Sequence, residues 1–344
     1  MTASGKARRL DLAKLGVPLD LHPMEARLVP DLPRGEGWQY EPKWDGFRCL
    51  AFRAGDQVEI KAKSGKSLSR FFPEVLSNLL ALKARSFVLD GELIIPAGGS
   101  SSFDALQMRL HPAASRVMHL SEQSPARFMV FDCLLQRTGR PLLDRPFEQR
   151  RAELDSFFTR VGAESGLRLT PFTRDLRKAR SWLTSRRAAL DGVIAKRLDL
   201  PYQPGERAML KVKCVRTADC VVGGFRYESA GGLVGSLLIG LYDEKGLLHH
   251  VGFTSAISDQ DKPALTRRLK RLIAPPGFTG DAPGGPSRWS TARSAAWEPL
   301  RPQLVVEVRY DQVTGRRFRH GTKIVRWRPD KAPEQCTFEQ LERA

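Results

Sequence analysis

The sequence predicts an α+β protein of two domains. With 344 residues the chain is long enough for two domains that each bury a core. Up to Cys214, short apolar runs are interleaved with patterns of helical spacing. Beyond Cys214, short strands separated by glycine or charged turns dominate, with one helix among them, which is typical of a small β-barrel such as an OB-fold. We therefore divide the chain into residues 1–214 and residues 215–344.

The first part begins with a hairpin. Alternation of apolar and polar residues predicts a strand at 46–54, and residues 57–62 are its partner across Gly55-Asp56. Apolar residues at helical spacing predict three helices, at 72–82 with Pro73 in the first turn, at 147–161 and at 174–189. Further strands are predicted from short apolar runs at 87–95, 128–135, 192–197 and 208–214.

The second part reads as a strand-rich unit. Short β patterns predict four strands, at 220–225, 235–242, 247–253 and 304–310. A helix is predicted at 262–273, and a Gly/Pro-rich loop covers 275–290.

The composition points to a polyanionic partner. The chain has 56 Lys plus Arg against 38 Asp plus Glu, a net charge of +18, and 41% hydrophobic residues. This hydrophobic content excludes wholesale disorder, and no apolar run reaches the length of a membrane span. Both parts are net basic, with 36 basic and 24 acidic residues before the boundary and 20 and 14 after it. The charge therefore favours nucleic acid as a partner, with solubility as the simpler explanation.

The segment from Glu41 to Arg48 carries the strongest chemical signal. Lys43 comes just before the predicted strand at 46–54, and Arg48 lies within that strand. Lysine is a nucleophile only when deprotonated, and burial or a neighbouring cation lowers its pKa. We expect Arg48 to lower the pKa of Lys43 and to hold a phosphate. A surface lysine is the alternative interpretation.

Four more segments place charges inside apolar patterns. These are Asp90-Gly91-Glu92, Phe131-Asp132, Asp191 to Arg197, and Lys211-Val212-Lys213. Carboxylates within an apolar strand need a partner, a metal or a hydroxyl. Alternation along a strand puts Lys211 and Lys213 on one face, where an anion such as a phosphate chain would balance them. Each segment alone is also compatible with a purely structural role.

Taken in order, these segments resemble the motif set of the covalent nucleotidyltransferases. The chain is most similar to bacterial ATP-dependent DNA ligases of the LigC/LigD type. That similarity rests on four segments: Tyr40 to Arg48 (YEPKWDGFR), Ser102 to Leu110 (SFDALQMRL), Ala195 to Tyr202 (AKRLDLPY) and Arg317 to Lys331 (RFRHGTKIVRWRPDK). The resemblance implies a nucleotidyltransferase (ATP-grasp-like) adenylation domain of antiparallel sheets and helices at 1–214, and an OB-fold domain at 215–344.

The resemblance implies a role for each matching residue. Lys43 would take AMP from ATP, releasing pyrophosphate. Glu41 would help recognise the adenine edge, Phe131 would stack on the base, and Glu92 would hold the ribose.

The phosphates and a metal ion are assigned in the same way. Arg48 and Lys63 would contact ribose or phosphate, and Lys211 and Lys213 would bind the α-phosphate. Glu92 and Asp191 would place Mg²⁺ or Mn²⁺.

In the second domain, the last motif would close over the pyrophosphate through Arg326, Arg328, Asp330 and Lys331. Three positions depart from the common pattern. Asp191 stands where glutamate is more frequent, Lys63 where arginine is common, and Met209 where tryptophan often precedes the lysine pair.

The implied function is sealing of nicks in double-stranded DNA, in DNA repair, by a monomer of the bacterial cytoplasm that contacts no membrane. An NAD-dependent ligase would carry a cysteine-rich zinc module, which five scattered cysteines do not provide. An RNA ligase, another covalent nucleotidyltransferase such as a GTP-using capping enzyme, and a non-catalytic nucleic-acid-binding protein are the alternatives. Whether a repair protein recruits the chain is not encoded in these motifs.

Overall fold

The chain folds as two compact units, Met1–Cys214 and Val215–Ala344. The computed structural model describes residues 11–97, 100–162, 166–184, 190–214, 216–229, 231–284 and 296–342. Among these residues, no helix combines the length and the apolar character needed to cross a membrane.

Two sheets make up the frame of the first unit. Strands and helices are β1 (Ala26–Leu28), β2 (Trp38–Lys43), β3 (Phe47–Ala54), β4 (Gln57–Ala62), α1 (Pro73–Ala81), β5 (Ser86–Ile94), β6 (Pro96–Ala97), β7 (Ser100–Ser101), α2 (Phe103–Arg109), α3 (Ala114–Gln123), β8 (Arg127–Cys133), α4 (Phe147–Val161), β9 (Leu167–Leu169), α5 (Leu176–Thr184), β10 (Gly192–Arg197) and β11 (Met209–Lys213). One sheet has the order β1-β11-β10-β2 and the other the order β4-β3-β5-β8-β9. Pairing is antiparallel except between β1 and β11 and between β8 and β9.

The predicted elements of this unit are confirmed within a few residues. Strands β3, β4, β5, β8, β10 and β11 and helices α1 and α4 occupy the expected segments. The helix expected at 174–189 is α5 (Leu176–Thr184), and residues 185–189 lie outside the described residues. The α2 and α3 helices, which the sequence did not reveal, follow the hairpin β6–β7; Ser102 caps α2 by accepting a hydrogen bond from the Ala105 amide at 3.2 Å.

Strand β2, which ends at Lys43, is the main element that sequence patterns missed. It contains Pro42, which lacks an amide donor and argues against a strand. Yet β2 lies at the edge of its sheet, and the Tyr40 amide points away from the sheet to donate to the Thr173 carbonyl at 2.9 Å. Residues two apart face the same edge, so Pro42 removes no hydrogen bond from the pairing with β10. The strand therefore delivers Lys43 at its end, one turn before β3.

The second unit is built around one larger sheet. Its elements are β12 (Arg216–Tyr227), β13 (Val234–Tyr242), β14 (Leu248–Thr254), α6 (Lys262–Lys270), β15 (Glu298–Pro299), β16 (Val305–Tyr310), β17 (Val313–Thr314), β18 (Arg317–Phe318), β19 (Lys323–Trp327) and α7 (Glu339–Glu342). The sheet has the order β14-β13-β12-β16-β19, with β15 beside β12. The predicted strands and helix α6 are present, and the predicted loop at 275–290 is described only up to residue 284.

This sheet is open over the described residues rather than closed into a barrel. Its outer strands are β14 and β19, and they meet through a single bridge between Thr254 and Thr322. The bridge joins the last residue of β14 to Thr322, which immediately precedes β19. The strands thus touch at their tips and share no ladder. The α+β class is confirmed. The expectation of a closed β-barrel is wrong for the described residues, where a single bridge joins the outer strands.

Candidate active site

A cavity of about 230 Å³ in the first unit collects most of the predicted site residues. The sheet with β2, β10 and β11 contributes Lys43, Ile194 and Lys211, whereas the other sheet contributes Arg48 and Glu92. The remaining lining residues are Pro23, Met24, Glu25, Ala26, Glu41, Pro42, Trp44, Lys63, Phe131, Lys196 and Met209. Cations, carboxylates and two aromatic side chains thus surround a single space.

Lys43 forms an ion pair with Asp191, the residue that precedes β10. Burial lowers the pKa of Lys43, but the nearby carboxylates of Asp191, Glu92 and Asp45 outweigh it, so that the pKa is raised above its ordinary value. The expectation that Arg48 lowers this pKa is therefore wrong for this structure. Arg48 is turned to another carboxylate, and Lys43 is an ammonium group held by Asp191.

Glu92 lies beside Lys43 at the bend between β2 and β3. Its Oε1 accepts a hydrogen bond from the Gly46 amide at 3.1 Å. A side chain at Gly46 would collide with the Leu93 carbonyl and with Glu92, so this close approach requires glycine. Burial raises the pKa of Glu92 to about 7, although Arg48 and Lys43 pull it down. Glu92 thus titrates near neutrality.

Arg48 is fixed by Asp90 of β5, which lies two residues from Glu92, the residue directly opposite Arg48 in the sheet. Its Nε and Nη2 donate to the two Asp90 oxygens at 2.6 and 2.7 Å. The Tyr202 hydroxyl also donates to Asp90 at 2.7 Å and accepts from the Met24 amide at 3.0 Å. Asp90 is fully buried, so this network explains the first carboxylate of the Asp90-Gly91-Glu92 segment. It leaves Arg48 rigid at the cavity wall.

Phe131 is flanked by two cations. The Arg48 guanidinium lies 4.3 Å from the centre of its ring and the Lys196 ammonium 4.6 Å from it. The next residue, Asp132, forms a buried two-point ion pair with Arg150 of α4, at 2.9 and 3.0 Å. This pair explains the carboxylate within the apolar run of β8, and it anchors the strand that presents the ring.

Glu41 is sequestered in the wall of the cavity. It is 2% exposed, and its Oε2 accepts from Lys196 at 2.7 Å while its Oε1 accepts from the Gln39 amide group at 2.9 Å. Lys196 also donates to the Phe131 carbonyl at 3.2 Å. The charge of Glu41 is therefore compensated within the protein, and Lys196 joins Glu41 to the strand that carries Phe131.

A group of lysines faces this cavity. Lys63 is half-exposed and pairs with Glu25 at 2.8 Å. Burial and the ammonium groups of Lys43, Lys213 and Lys63 lower the pKa of Lys211. Lys213, two residues further along β11, is placed outside the lining of the cavity. These ammonium groups concentrate positive charge around Lys211, which favours an anionic ligand.

The four predicted residues of the last motif belong to the second unit. Arg326 is exposed and donates to Glu307 at 2.7 Å. Arg328 donates to Asp330 through Nε and Nη2, and pairing with Arg328 lowers the pKa of Asp330 to about 2. Lys331 donates to a further carboxylate, Asp219, at 2.7 Å. Three of the four predicted residues are thus tied into one charged group.

Several residues that complete these arrangements do not stand out in the sequence. Lys196 shares a strand face with Ile194, and alternation along β10 is the signal that could have placed it in the cavity. Asp219 lies just after the domain boundary. It is a carboxylate within an apolar strand, as Asp90 and Asp132 are. Tyr202 ends the segment from Ala195, which stands out in the sequence only by its resemblance. No sequence signal pairs it with Asp90, because the contact joins distant parts of the chain.

The carboxylates at Lys43 fit a metal ion that arrives together with phosphate. No group of three or more His, Cys, Asp or Glu side chains within the described ranges is arranged to hold a metal by itself. Asp191 and Glu92 both act on the charge of Lys43. Mg²⁺ is typically bound through one or two carboxylates, substrate phosphates and water. Two carboxylates beside a cationic cavity meet that requirement.

Together the fold and the cavity define a nucleotidyltransferase. A family model described as "ATP dependent DNA ligase domain" matches residues 23–213, and one described as "ATP dependent DNA ligase C terminal region" matches residues 230–331. The chain belongs to the family of ATP-dependent DNA ligases, and ATP is its nucleotide substrate.

Individual relatives support this assignment over nearly the whole chain. The chain is 45% identical to DNA ligase C2 of Mycolicibacterium smegmatis, over 93% of this chain and 94% of the relative. It is 41% identical to DNA ligase C of Mycobacterium tuberculosis, over 96% of both chains. A solved structure of mycobacterial DNA ligase D complexed with ATP and MES covers 93% of this chain and 98% of its own, with 27% identity and a TM-score of 0.50.

Proposed function

We propose that this ATP-dependent DNA ligase seals nicks between a 3′-hydroxyl and a 5′-phosphate through a lysine–AMP intermediate and adenylated DNA. The observation that carries the proposal is the position of Lys43. Its side chain pairs with Asp191 and lines a cavity together with two aromatic residues, three further lysines and three glutamates. A nucleoside triphosphate offers a ring to stack, a sugar to bind and a phosphate chain to neutralise.

In the first step, Lys43 Nζ attacks the α-phosphorus of ATP after losing its proton. A P–N bond forms, the bond to the bridging oxygen of pyrophosphate breaks, and the leaving group carries away that electron pair. Lys211 and Lys213 stabilise charge on the α-phosphate oxygens. Mg²⁺ or Mn²⁺ held by Asp191 and Glu92 would add Lewis-acid stabilisation of that charge. Asp191 thereby has two tasks, orienting Lys43 and helping to place the metal.

The adenine and ribose of ATP lie against the wall formed by β3, β5 and β8. Phe131 stacks on the adenine, and Glu41, oriented by Lys196, helps recognise the adenine edge. Glu92 holds the ribose, and Arg48, locked by Asp90, contacts ribose or phosphate. Lys63 is exposed beside them and adds a further phosphate contact.

Arg326, Arg328 and Lys331 bind the pyrophosphate, with Asp330 as a partner of Arg328. We infer residues 1–214 to be the adenylation domain and residues 215–344 to be the OB-fold domain. In the second step AMP moves to the 5′-phosphate of the nick, and in the third the 3′-hydroxyl displaces it. The chain acts as a monomer on nicked double-stranded DNA, in DNA repair and at the nucleoid.

Formation of the covalent adduct tests the proposal directly. Incubation with labelled ATP and Mg²⁺ is expected to label the chain, and Lys43→Ala is expected to abolish the label. Lys83→Ala, which removes an exposed lysine far along the sequence, serves as the matched control. Equal labelling of the Lys43 variant would remove this residue from its role.

The choice of substrate separates this function from its alternatives. Sealing is measured on a nicked duplex with ATP, NAD and GTP offered separately, and with DNA or RNA at the nick. ATP-dependent sealing of DNA strands is expected. Preferential sealing of RNA strands would identify an RNA ligase, and binding without any adduct would identify a non-catalytic protein.

A further inference from the structure

Asp219 on β12 holds together two cations of the second unit. Its Oδ1 and Oδ2 accept hydrogen bonds from Arg328 Nη1 at 2.8 and 2.9 Å, and Oδ2 also accepts one from Lys331 Nζ at 2.7 Å. Only 12% of the Asp219 side chain is exposed, against 18% for Arg328 and 21% for Lys331. One nearly buried carboxylate therefore serves both cations, which are assigned to pyrophosphate.

The backbone of Asp219 is itself fixed. Gln340 of α7 accepts a hydrogen bond from the Asp219 amide at 3.0 Å and donates one to the Asp219 carbonyl at 3.1 Å. On the other side, Asp219 pairs with Glu307 in the ladder between β12 and β16. The carboxylate thus projects from a strand that is held on both sides.

The Nε–Nη2 edge of Arg328 pairs with an exposed carboxylate. Asp330 accepts from Arg328 Nε and Nη2 at 2.8 to 3.2 Å, but 62% of its side chain is exposed. A phosphate group can replace an exposed carboxylate at this two-donor edge more readily than it can replace the enclosed Asp219. The Nε–Nη2 edge is therefore the side that an anionic ligand would take.

We propose that Asp219 is a positioning residue for the first chemical step, because it presents Arg328 and Lys331 as a preformed pair to the pyrophosphate of ATP. This inference rests on the proposed role of these two cations. Without the Asp219 carboxylate, two like charges that now share one acceptor repel each other and separate. Pyrophosphate would then have to order both side chains itself, at a cost in entropy.

The test separates the first step from the last. Asp219→Asn removes the charge with little change in volume, and Glu228→Gln, which breaks the ion pair with Lys262 in the same unit, is the matched control. For each full-length variant, adduct formation with ATP is measured under single-turnover conditions, and closure is measured on a nick adenylated beforehand. We expect Asp219→Asn to slow adduct formation roughly 10- to 100-fold and closure less than about twofold.

A double-mutant cycle shows whether Asp219 acts through the cations. In a background of Arg328→Ala and Lys331→Ala, the Asp219→Asn change is expected to have little further effect. Thermal unfolding measured alongside reports any loss of folded protein, and the milder Gln340→Ala variant provides a second test with an effect in the same direction.

Each outcome has a definite meaning. If the Arg328 and Lys331 variants slow adduct formation but Asp219→Asn does not, the inference about Asp219 fails alone. If the Arg328 and Lys331 variants have no effect, their proposed role and the inference fall together. Equal slowing of both steps by Asp219→Asn, or an undiminished effect in the double-variant background, would mean that Asp219 only supports the fold.

Discussion

The ammonium of Lys43 lies against the carboxylate of Asp191, and this pair controls the protonation of the proposed nucleophile. Lys43 ends β2 and Asp191 precedes β10, so the pairing of these two strands brings the side chains together. The carboxylate keeps Lys43 protonated, whereas attack on phosphorus requires the neutral amine. Moving Asp191 toward a metal ion would weaken its hold on that proton.

The first prediction concerns the pH dependence of adduct formation. Because the pKa of Lys43 is raised, the adenylation rate should climb with pH as the neutral amine increases. Asp191→Asn leaves burial as the main influence on Lys43, lowers its pKa and should move the rising limb to lower pH. Single-turnover rates between about pH 6 and pH 10 measure this shift. If the rising part of the pH–rate profile stays in place, Asp191 does not set the pKa of Lys43, whatever the maximal rate.

The second prediction concerns stability and Glu92. Its pKa is raised from 4.5 to about 7, so the folded chain holds this proton more tightly than the unfolded chain. The stabilisation is fully present below about pH 4.5 and is lost as the pH rises through about 7. Glu92→Gln stays neutral and retains an oxygen for Gly46. Between about pH 4.5 and pH 7 the free energy of unfolding of the variant should therefore rise relative to that of the parent chain. Urea unfolding at several pH values tests it, and a constant difference would argue against the shift.

The third prediction concerns Lys331. Lys331→Ala should slow adduct formation more than it slows closure of a nick adenylated beforehand, because pyrophosphate takes part only in the first step. Rates of the two steps, measured separately, provide the test. Equal slowing of both steps would be incompatible with a role confined to pyrophosphate.

The fourth prediction compares two Arg–Asp pairs of similar geometry in different surroundings. Asp132→Ala strands the buried Arg150 guanidinium and should lower the free energy of unfolding by about 3–5 kcal/mol. Asp199→Ala breaks the exposed pair with Arg197 and should change it little. Denaturant unfolding of both variants measures the difference. Similar losses in the two variants would show that burial does not govern the first pair.

The fifth prediction concerns salt. Both parts of the chain are net basic, so binding to a nicked duplex should weaken steeply as salt rises, through release of counterions from DNA phosphates. Equilibrium binding at several salt concentrations gives the slope, and duplexes of different sequence should give similar values. A flat response would leave solubility as the explanation of the excess charge.

The sequence predicted regular elements well because apolar alternation is a local property. The hairpin of β3 and β4 and the helix α4 follow from residues that are neighbours in the chain. Strand β2 could not be predicted from local sequence, because Pro42 is acceptable in a strand only at the edge of a sheet. Which strand lies at the edge is not a local property. Barrel closure likewise depends on pairing between β14 and β19, which are far apart in the chain.

The site was predictable as a set of residues but not as a set of pairs. Order along the chain singled out Lys43, Glu92, Lys211 and Lys331. That Arg48 belongs to Asp90 and Lys43 to Asp191 follows only from the strand registers. The direction of the Lys43 pKa therefore does not follow from the closeness of Arg48 in sequence, since the charges nearest to Lys43 are carboxylates.

Pro42, beside the proposed nucleophile, has a consequence for how molecules of this chain meet one another. The outer edge of β2 offers no amide at this position, and at Tyr40 the edge is already taken by Thr173. A strand from another molecule therefore finds no continuous row of donors to pair with next to Lys43. The edge that carries Lys43 is thereby protected from intermolecular β-pairing and the aggregation that such pairing begins.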